Sequence, residues 1–263
     1  FGQDVECSGK MKPVYEKVIP VRGAMCWSVA GILTVVSLAV GWAGEIQWRD
    51  DLNGALRAAR QADKIVMVDF MTEWCGWCKR LDKDVYAKDQ VIKLAEKSFI
   101  AVKIDGDKNR DLVRKYEISG YPTIIFLAPD GTKLKTVIGY RPLQLFVAEM
   151  KDAIQLYELY KQKPELEKKV EAGKASADEL VQLAHICRRL GDRKRAYQLL
   201  VQARKAGCQS ADFKLEWTLV KLRGGDKTAS LRKWLDDNRD HPRRAEAHYE
   251  LGMAYAEVKA WQK

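Results

Sequence analysis

Two cysteines separated by two residues, Cys75 and Cys78, are the side chains best placed to do chemistry. They follow the apolar run from Lys64 to Phe70 and precede a charged amphipathic segment, so they fall where a strand passes into a helix. The N-terminus of a helix presents unpaired N–H groups and a partial positive charge, which stabilise a thiolate. We therefore expect the pKa of Cys75 to be lowered, into the range of about 3.5–7.5 found at such positions.

A C-x-x-C pair is also compatible with a zinc site or a haem attachment site. Zinc needs further ligands, but there is no second C-x-x-C, and the three histidines, His185, His241 and His248, lie far downstream. Haem attachment needs a histidine after the second cysteine, where this chain has Lys79. We therefore expect redox use of the pair, with no cofactor and no metal.

The first 43 residues have the pattern of an export signal. Basic residues up to Arg22 precede the uncharged residues 23–43, and Gly41 and Ala43 are small residues where a signal peptidase would read them. We expect residues 1–43 to be a leader and signal peptide; an uncleaved membrane anchor at 23–43 is the alternative, because about twenty apolar residues can span a bilayer. Both place the rest of the chain in the periplasm or on the extracytoplasmic side of the membrane.

Export also affects how the remaining cysteines are interpreted. In an oxidising compartment Cys187 and Cys208 could form a structural disulfide. We favour the alternative of two separate buried thiols in helices.

The formal charge of +10 is spread along the chain, with 21 basic against 18 acidic residues in 44–163 and 21 against 15 in 164–263. No segment is a basic tail, so we expect no nucleic-acid partner. The densest basic cluster is expected to be a solvated surface at a helix–turn–helix corner, with Arg188, Arg189, Arg193, Lys194 and Arg195.

The residues from Gly44 onward have the apolar pattern of an α/β unit. Asp50 or Asp51 is expected to cap a first helix, and a long helix from Pro142 to Lys161 closes the unit. Runs of β-branched and aromatic residues predict strands at Ile65–Phe70, Phe99–Asp105, Thr123–Leu127 and Lys133–Ile138. The resulting order, α-β-α-α-β-α-β-β-α, predicts a sheet covered by helices on both faces.

The segment from Val68 to Lys79, followed by Gly120-Tyr121-Pro122-Thr123, resembles the thioredoxin superfamily. It is similar to exported members such as the C-terminal periplasmic domain of DsbD. The resemblance covers about residues 46–160 and implies an α/β thioredoxin fold, with a central mixed sheet, over residues 44–162. It implies a thiol–disulfide oxidoreductase of the bacterial cell envelope, which takes electrons from a dithiol donor and acts on protein disulfides. Trp77 stands where thioredoxin has proline, which leaves the direction of electron flow open; the similarity to DsbD favours a reductant.

The resemblance also assigns catalytic roles. Cys75 would be the exposed nucleophile that attacks a partner disulfide, and Cys78 the resolving thiol, so that the two form a redox-active disulfide. Asp69 matches the buried aspartate that moves a proton to or from the resolving cysteine, and Lys103 matches the lysine beside it. The alternatives are that Asp69 points to water at a strand end and that Lys103 only faces solvent.

The same resemblance implies a substrate-binding set. Pro122 would be a cis-proline lying against the cysteines, which leaves the backbone of Tyr121 free to pair with a substrate strand. Trp74 would be a surface recognition residue, Trp77 would extend an apolar docking patch, and Gly76 lies between them.

The last third of the chain has a repeat with a spacing of 34 residues, seen at Ala177, Ala211 and Ala245. This period resembles tetratricopeptide (TPR) repeats and predicts an all-α helical repeat domain at 177–263, with a truncated third repeat and a protein partner. An unrelated helical bundle is the alternative. Residues 163–176 are expected to be a linker or a helical extension.

A second class of function is a TPR-based scaffold or interaction protein, in which the thioredoxin-like domain is only an adaptor. An adaptor has no need of paired thiols. The presence of Cys75, Cys78, Asp69 and Pro122 in one unit therefore favours the enzyme.

Overall fold

The computed structural model describes residues 44–222 and 224–261. The expected leader, signal peptide or anchor at 1–43 lies outside the described residues. Within the described ranges, no helix has both the length and the apolar character needed to cross a membrane.

A four-stranded mixed sheet forms the centre of the first unit. Its strands are β1 (Ile65–Met71), β2 (Phe99–Asp105), β3 (Thr123–Leu127) and β4 (Lys133–Ile138), in the spatial order β2-β1-β3-β4. β1 is parallel to β2 and antiparallel to β3, and β3 is antiparallel to β4. β1 is therefore a central strand, and the predicted mixed sheet is confirmed.

Helices cover both faces of this sheet in the predicted order. They are α1 (Leu52–Ala62), α2 (Gly76–Leu81), α3 (Asp89–Ser98), α4 (Arg110–Lys115) and α5 (Leu143–Glu171), with a π-helical turn at Asp82–Tyr86 after α2. Asp51 caps α1, since its carboxylate accepts the N–H groups of Asn53 and Gly54 at 2.9 Å. Alternate residues of β1 enter two cores: Val66 and Val68 face α1, whereas Met67 faces α3 and α5. This alternation places Asp69 on the Met67 side.

Helix α5 continues well beyond the predicted end at Lys161. It runs to Glu171 and includes Pro164, so residues 163–171 of the expected join are a helical extension and not a flexible linker. The extension is stable because its C-terminal half packs against the following helices. Leu166 is buried in the second core, and Lys169 pairs with Glu179 at 2.8 Å.

The C-terminal region is helical, as predicted. Its helices are α6 (Ala177–Arg189), α7 (Arg193–Lys205), α8 (Ala211–Lys221), α9 (Gly224–Asp237) and α10 (Arg244–Trp261). Ser176 and Glu179 form a capping box at the start of α6, and Ser210 caps α8. Cys187 and Cys208 are both buried, and no disulfide joins them; Cys187 lies in α6, as expected, whereas Cys208 lies in the connection after α7 and not in a helix.

The expected solvated surface at 188–195 is wrong for Arg188, which is buried in an ion-pair network, whereas Arg193 and Lys194 are exposed. The Arg188 side chain is 8% exposed and binds Glu216 of α8, with Nε 2.8 Å from Oε2. Arg243, before α10, also donates to Glu216 and binds Asp212 at 3.0 Å. Burial alone would raise the pKa of Glu216, but the two guanidinium groups hold it well below its ordinary value. This buried network ties α6 and α8 to the start of α10.

His185 joins the same network, with Nδ1 2.8 Å from Glu216 Oε1. His185, Glu216 and Glu246 present potential ligand atoms within 4.8 Å of one another. Arg188 and Arg243 hydrogen-bond to both carboxylates, however, so their positive charges would oppose a cation at this place. The arrangement is that of an internally neutralised ion-pair network.

Replacing Glu216 should strongly destabilise the helical region. Glu216→Ala leaves Arg188 and Arg243 buried without their shared carboxylate, and loss of one partner of a buried pair costs about 3–5 kcal/mol. The free energy of unfolding is measured by urea titration followed by circular dichroism. Asp111→Asn, which breaks an exposed pair with Arg114, is the matched control and should cost at most about 1 kcal/mol. An equally small loss in Glu216→Ala would contradict a structural role for the network.

Candidate redox active site

The two cysteines form a disulfide at the end of the central strand. The Cys75–Cys78 S–S distance is 2.08 Å and the Cα–Cα distance is 5.3 Å. Cys75 is the N-cap of α2, and its Sγ accepts the N–H of Cys78 at 3.0 Å. The predicted position at a strand-to-helix junction is therefore confirmed.

The description of Cys75 as exposed does not hold for this oxidised form. Cys75 is 5% exposed, because its sulfur is bonded to Cys78 and turned onto the first turn of α2. The flanking Trp74 and Trp77 project instead, with 70% and 55% of their surface exposed. A partner would meet these two indole rings around a recessed disulfide.

Asp69 is buried in the middle of the sheet and does not point to water. It is 1% exposed, it lies opposite Lys103 of β2, and its Oδ1 has no hydrogen-bond partner within the described residues. Burial raises its pKa to about 7; the positive charge of Lys103 opposes this shift, and the negative charge of Asp82 adds to it. A carboxyl group with this pKa can exchange a proton near neutral pH, as a general base must.

Lys103 neighbours Asp69 in the sheet but makes its ion pair elsewhere. Its Nζ lies 2.5 Å from Asp82 Oδ1 and above the ring of Trp48 at 4.7 Å. The part-buried ammonium group is thus held by other residues, while its charge still acts on Asp69. The alternative of a purely solvent-facing Lys103 is not what the structure shows.

Asp82 and Tyr86 belong to this environment, and sequence reasoning missed both. They lie on the π-helical turn, and Tyr86 is buried against Trp48 and Phe146. The Tyr86 hydroxyl slightly lowers the pKa of Asp69, although the two groups do not reach hydrogen-bond geometry. The sequence did carry a signal for Asp82. It lies four residues after Cys78, and residues i and i+4 share one face of a helix.

A surface cavity of about 360 Å³ lies beside the residues that surround Asp69, although Asp69 itself does not line it. Among its lining residues are Asp82, Tyr86 and Lys103, the same three residues whose side chains act on the pKa of Asp69. Water entering the cavity therefore comes close to the groups that set the protonation of Asp69.

The Tyr121–Pro122 peptide bond is cis, as the resemblance implied. Within the described part of the chain, neither the N–H nor the C=O of Tyr121 makes a backbone hydrogen bond. The Tyr121 ring lies so close to Gly106 that a Cβ there would be 2.1 Å from its hydroxyl oxygen. Only glycine at position 106 allows this placement of Tyr121.

Trp74 is held in position by the loop that follows β2. Its Nε1–H donates to Asp107 Oδ2 at 2.8 Å, and its ring meets Tyr121 edge-on at 5.9 Å. The adjacent Glu73 pairs with Lys108 at 2.8 Å. Asp107 is a site residue that sequence reasoning missed, since nothing in its local pattern points to a residue 33 positions away.

Trp77 forms the other side of the exposed surface. It lies 5.5 Å from the Tyr140 ring, and the Arg80 guanidinium stacks over both rings, at 5.5 and 5.2 Å. Apart from the residues next to it, no atom lies within 4 Å of where a Cβ on Gly76 would be. Trp74, Gly76 and Trp77 are all exposed, so the residues of the expected docking patch lie at the surface.

A family model described as a thioredoxin-like domain matches residues 52–154. The thioredoxin of Bacillus subtilis is 34% identical to this chain over 85 residues, which make up 32% of this chain and 78% of that protein. The chain belongs to the thioredoxin family.

Two longer relatives match stretches of similar length. A probable protein disulfide-isomerase A6 of Medicago sativa is 41% identical over 86 residues, 32% of this chain and 23% of that protein. The thiol:disulfide interchange protein DsbD of Pseudomonas fluorescens is 29% identical over 89 residues, 33% of this chain and 15% of that protein. The chain thus spans less than a quarter of the length of either protein. Thioredoxin-family relatives and the Cys75–Cys78 pair support a thiol–disulfide oxidoreductase.

The buried carboxyl group of Asp69 should make stability depend on pH. Its folded pKa of about 7 lies above the unfolded value of 3.8, so the native state binds more protons between these values and stability falls as pH rises from about 4 to 7. Asp69→Asn removes this pH-dependent loss of stability, because asparagine has no ionisable group. At 1.36 kcal/mol per pKa unit, the variant should be more stable than the parent at pH 8 by on the order of 4 kcal/mol, with little difference near pH 4.

The measurement is urea unfolding of the oxidised protein at both pH values. Asp63→Asn is a control that should change stability in the opposite direction. A hydrogen bond from Tyr157 holds the pKa of Asp63 below its ordinary value, so the charged form of Asp63 stabilises the fold. That control should be less stable than the parent at pH 8. A gain for Asp69→Asn that is the same at both pH values would contradict the raised pKa.

Proposed function

We propose that this protein is a thiol–disulfide oxidoreductase of the bacterial cell envelope that reduces disulfides in partner proteins. The observation that carries the proposal is the Cys75–Cys78 disulfide at the start of α2, with the buried Asp69 in the strand that leads to it. An adaptor domain would need neither feature.

The reaction is a balanced exchange. In the reduced protein the Cys75 thiolate attacks one sulfur of a partner disulfide, which forms a mixed disulfide and releases the other partner sulfur as a thiolate. Cys78 then attacks Cys75 Sγ, which releases the second partner sulfur and restores the Cys75–Cys78 disulfide. A dithiol donor returns the protein to its reduced form by the same exchange.

Asp69 is assigned to the second step. Cys78 must lose its proton to attack, and a carboxylate with a pKa near 7 can accept that proton at neutral pH. Lys103 acts through its charge on Asp69, so we assign it a positioning role. The charge of Lys103 lowers the pKa of Asp69, whereas the charge of Asp82 raises it.

Partner docking is assigned to the surface around the disulfide. Trp74 and Trp77 supply exposed apolar area, and the unpaired backbone of Tyr121 beside cis-Pro122 can bond an extended partner segment. Asp107 fixes the orientation of Trp74.

The envelope location and the reductant direction are supported from the sequence side. Residues 1–43 have the composition of a signal peptide or anchor, and the similarity to DsbD favours a reductant over an oxidant.

We further propose that the helical region is a TPR-like array that binds a protein partner. Helices α6, α8 and α10 begin at residues 177, 211 and 244, close to a regular spacing of 34. The array is attached to the redox domain along α5, where Asp152 binds Arg189 at 2.5 Å and Gln162 accepts from Gln182 at 2.7 Å. These contacts begin roughly 14 Å along α5 from its first residue, at 1.5 Å per residue. Trp74 and Trp77 stay 70% and 55% exposed in the presence of the array, so the array leaves the surface around the disulfide open.

Cysteine substitutions test the redox proposal. Cys75→Ser should abolish dithiothreitol-driven reduction of insulin, because the attacking sulfur is lost, and Cys78→Ser should accumulate a covalent mixed disulfide that mass spectrometry detects. Cys187→Ser, which removes a buried thiol in α6, is the matched control and should keep the parental rate. Activity in Cys75→Ser equal to that of the parent would overturn the mechanism.

A further inference from the structure

The exposed surface of α7 and α8 carries positive charge without exposed negative charge. The only acidic side chains in residues 193–222 are Asp212 and Glu216, and both are buried in the ion-pair network described above. Arg193 donates to the carbonyl groups of Leu219 and Val220 near the end of α8. Arg195 forms an ion pair with Glu167. The exposed cations that remain, here called the basic face, are Lys194, Arg204, Lys205, Lys214 and Lys221.

The basic face lacks counter-charges of its own. Within residues 44–222 and 224–261, none of its five side chains forms an ion pair with a carboxylate, whereas nearby Arg188 and Arg189 both do. Like charges clustered in this way repel one another and attract an anionic ligand.

An aromatic side chain lies at the centre of the basic face. The guanidinium of Arg204 and the ammonium of Lys221 both stack on Trp217, at 5.1 and 4.8 Å from the ring centroid. Tyr197 lies 5.9 Å from the same ring and is exposed. Two cations on one indole concentrate positive charge beside aromatic rings, which suits a ligand that carries both carboxylates and an apolar group.

A cavity of about 400 Å³ extends this surface. Lys214 and Thr218 of α8 line it together with Lys233, Trp234 and other residues of α9. Lys214 lies three residues from Trp217 and seven from Lys221, so these side chains occupy the same face of α8. The Trp234 N–H is already bound to the carbonyl of Ala211 at 2.7 Å, which leaves the ring as an apolar wall.

We propose that the basic face and this cavity bind an acidic segment of a partner protein. Acidic side chains would pair with Arg204, Lys214 and Lys221, and an apolar side chain would enter the cavity beside Trp234. This inference rests on the proposed partner-binding role of the helical region and is independent of the redox reaction.

A short acidic peptide fits this surface better than a nucleic acid does. The basic face is confined to one helical hairpin. On the neighbouring α9, Asp237 at the cavity is paired with Lys233 at 3.0 Å, and Asp236 presents an exposed carboxylate without an ion pair among the described residues. Asp236 would repel a phosphate backbone that extended beyond the cavity, which limits the ligand to a segment that covers the hairpin and the cavity.

Fluorescence anisotropy of the full chain with a labelled probe tests the proposal. The probe is a 12-residue peptide of Asp and Glu with one central Leu. Arg204→Glu with Lys221→Glu should weaken binding at least tenfold, whereas Lys93→Glu with Lys151→Glu, an equal charge change at exposed sites of α3 and α5, should weaken it less than twofold. Replacing the Leu of the probe by Ser should weaken binding severalfold.

Equal losses in the two double variants would overturn the proposal, because binding would then follow net charge alone. Absence of saturable binding would overturn it too, as would tighter binding of a 12-nucleotide single-stranded DNA or of phosphatidylglycerol vesicles. The Arg204→Glu, Lys221→Glu variant should reduce insulin within twofold of the parental rate. If the parent does not reduce insulin but binds the peptide as expected, the redox proposal fails and this one stands.

Discussion

The burial of a carboxyl group in the central strand is the constraint on which the site depends. β1 is covered on both faces by apolar cores, so Asp69 cannot reach bulk water and its pKa rises to about 7. The strand ends at Met71, and the disulfide follows at the start of α2, so the buried carboxyl group and the thiol pair lie on consecutive elements. Burial of the charged carboxylate lowers the stability of the fold at neutral pH. It also provides a group that can take up a proton at that pH.

The residues around Asp69 moderate this burial without cancelling it. Lys103 supplies a positive charge, but its ion pair with Asp82 brings an opposing negative charge to the same place. Tyr86 adds a buried hydroxyl group, and the residue also lines a cavity that opens to solvent. Neither Trp74 nor Trp77 lines that cavity, so it is separate from the proposed docking surface.

The fold and the reacting residues could be predicted because their signals are local. Buried strands are continuous apolar runs, and Cys75, Cys78 and Pro122 belong to motifs that resemble a known family. Tyr86 and Asp107 could not be assigned in this way, because their roles depend on a π-helical turn and on a loop 33 residues from Trp74. Arg188 looked like a surface residue for the same reason: its partner Glu216 is 28 residues away. The end of α5 was misjudged because packing against α6, and not its own sequence, stabilises its last turns.

The central claim is that Cys75 and Cys78 form a reversible pair poised to donate electrons. The reduction potential of this pair in the full chain tests it most directly. The protein is equilibrated in defined thiol–disulfide buffers, and the reduced fraction is measured by alkylation and mass spectrometry. We predict a value near about −270 mV, as for thioredoxin; a value near about −120 mV, as for a strong oxidant, would contradict the account.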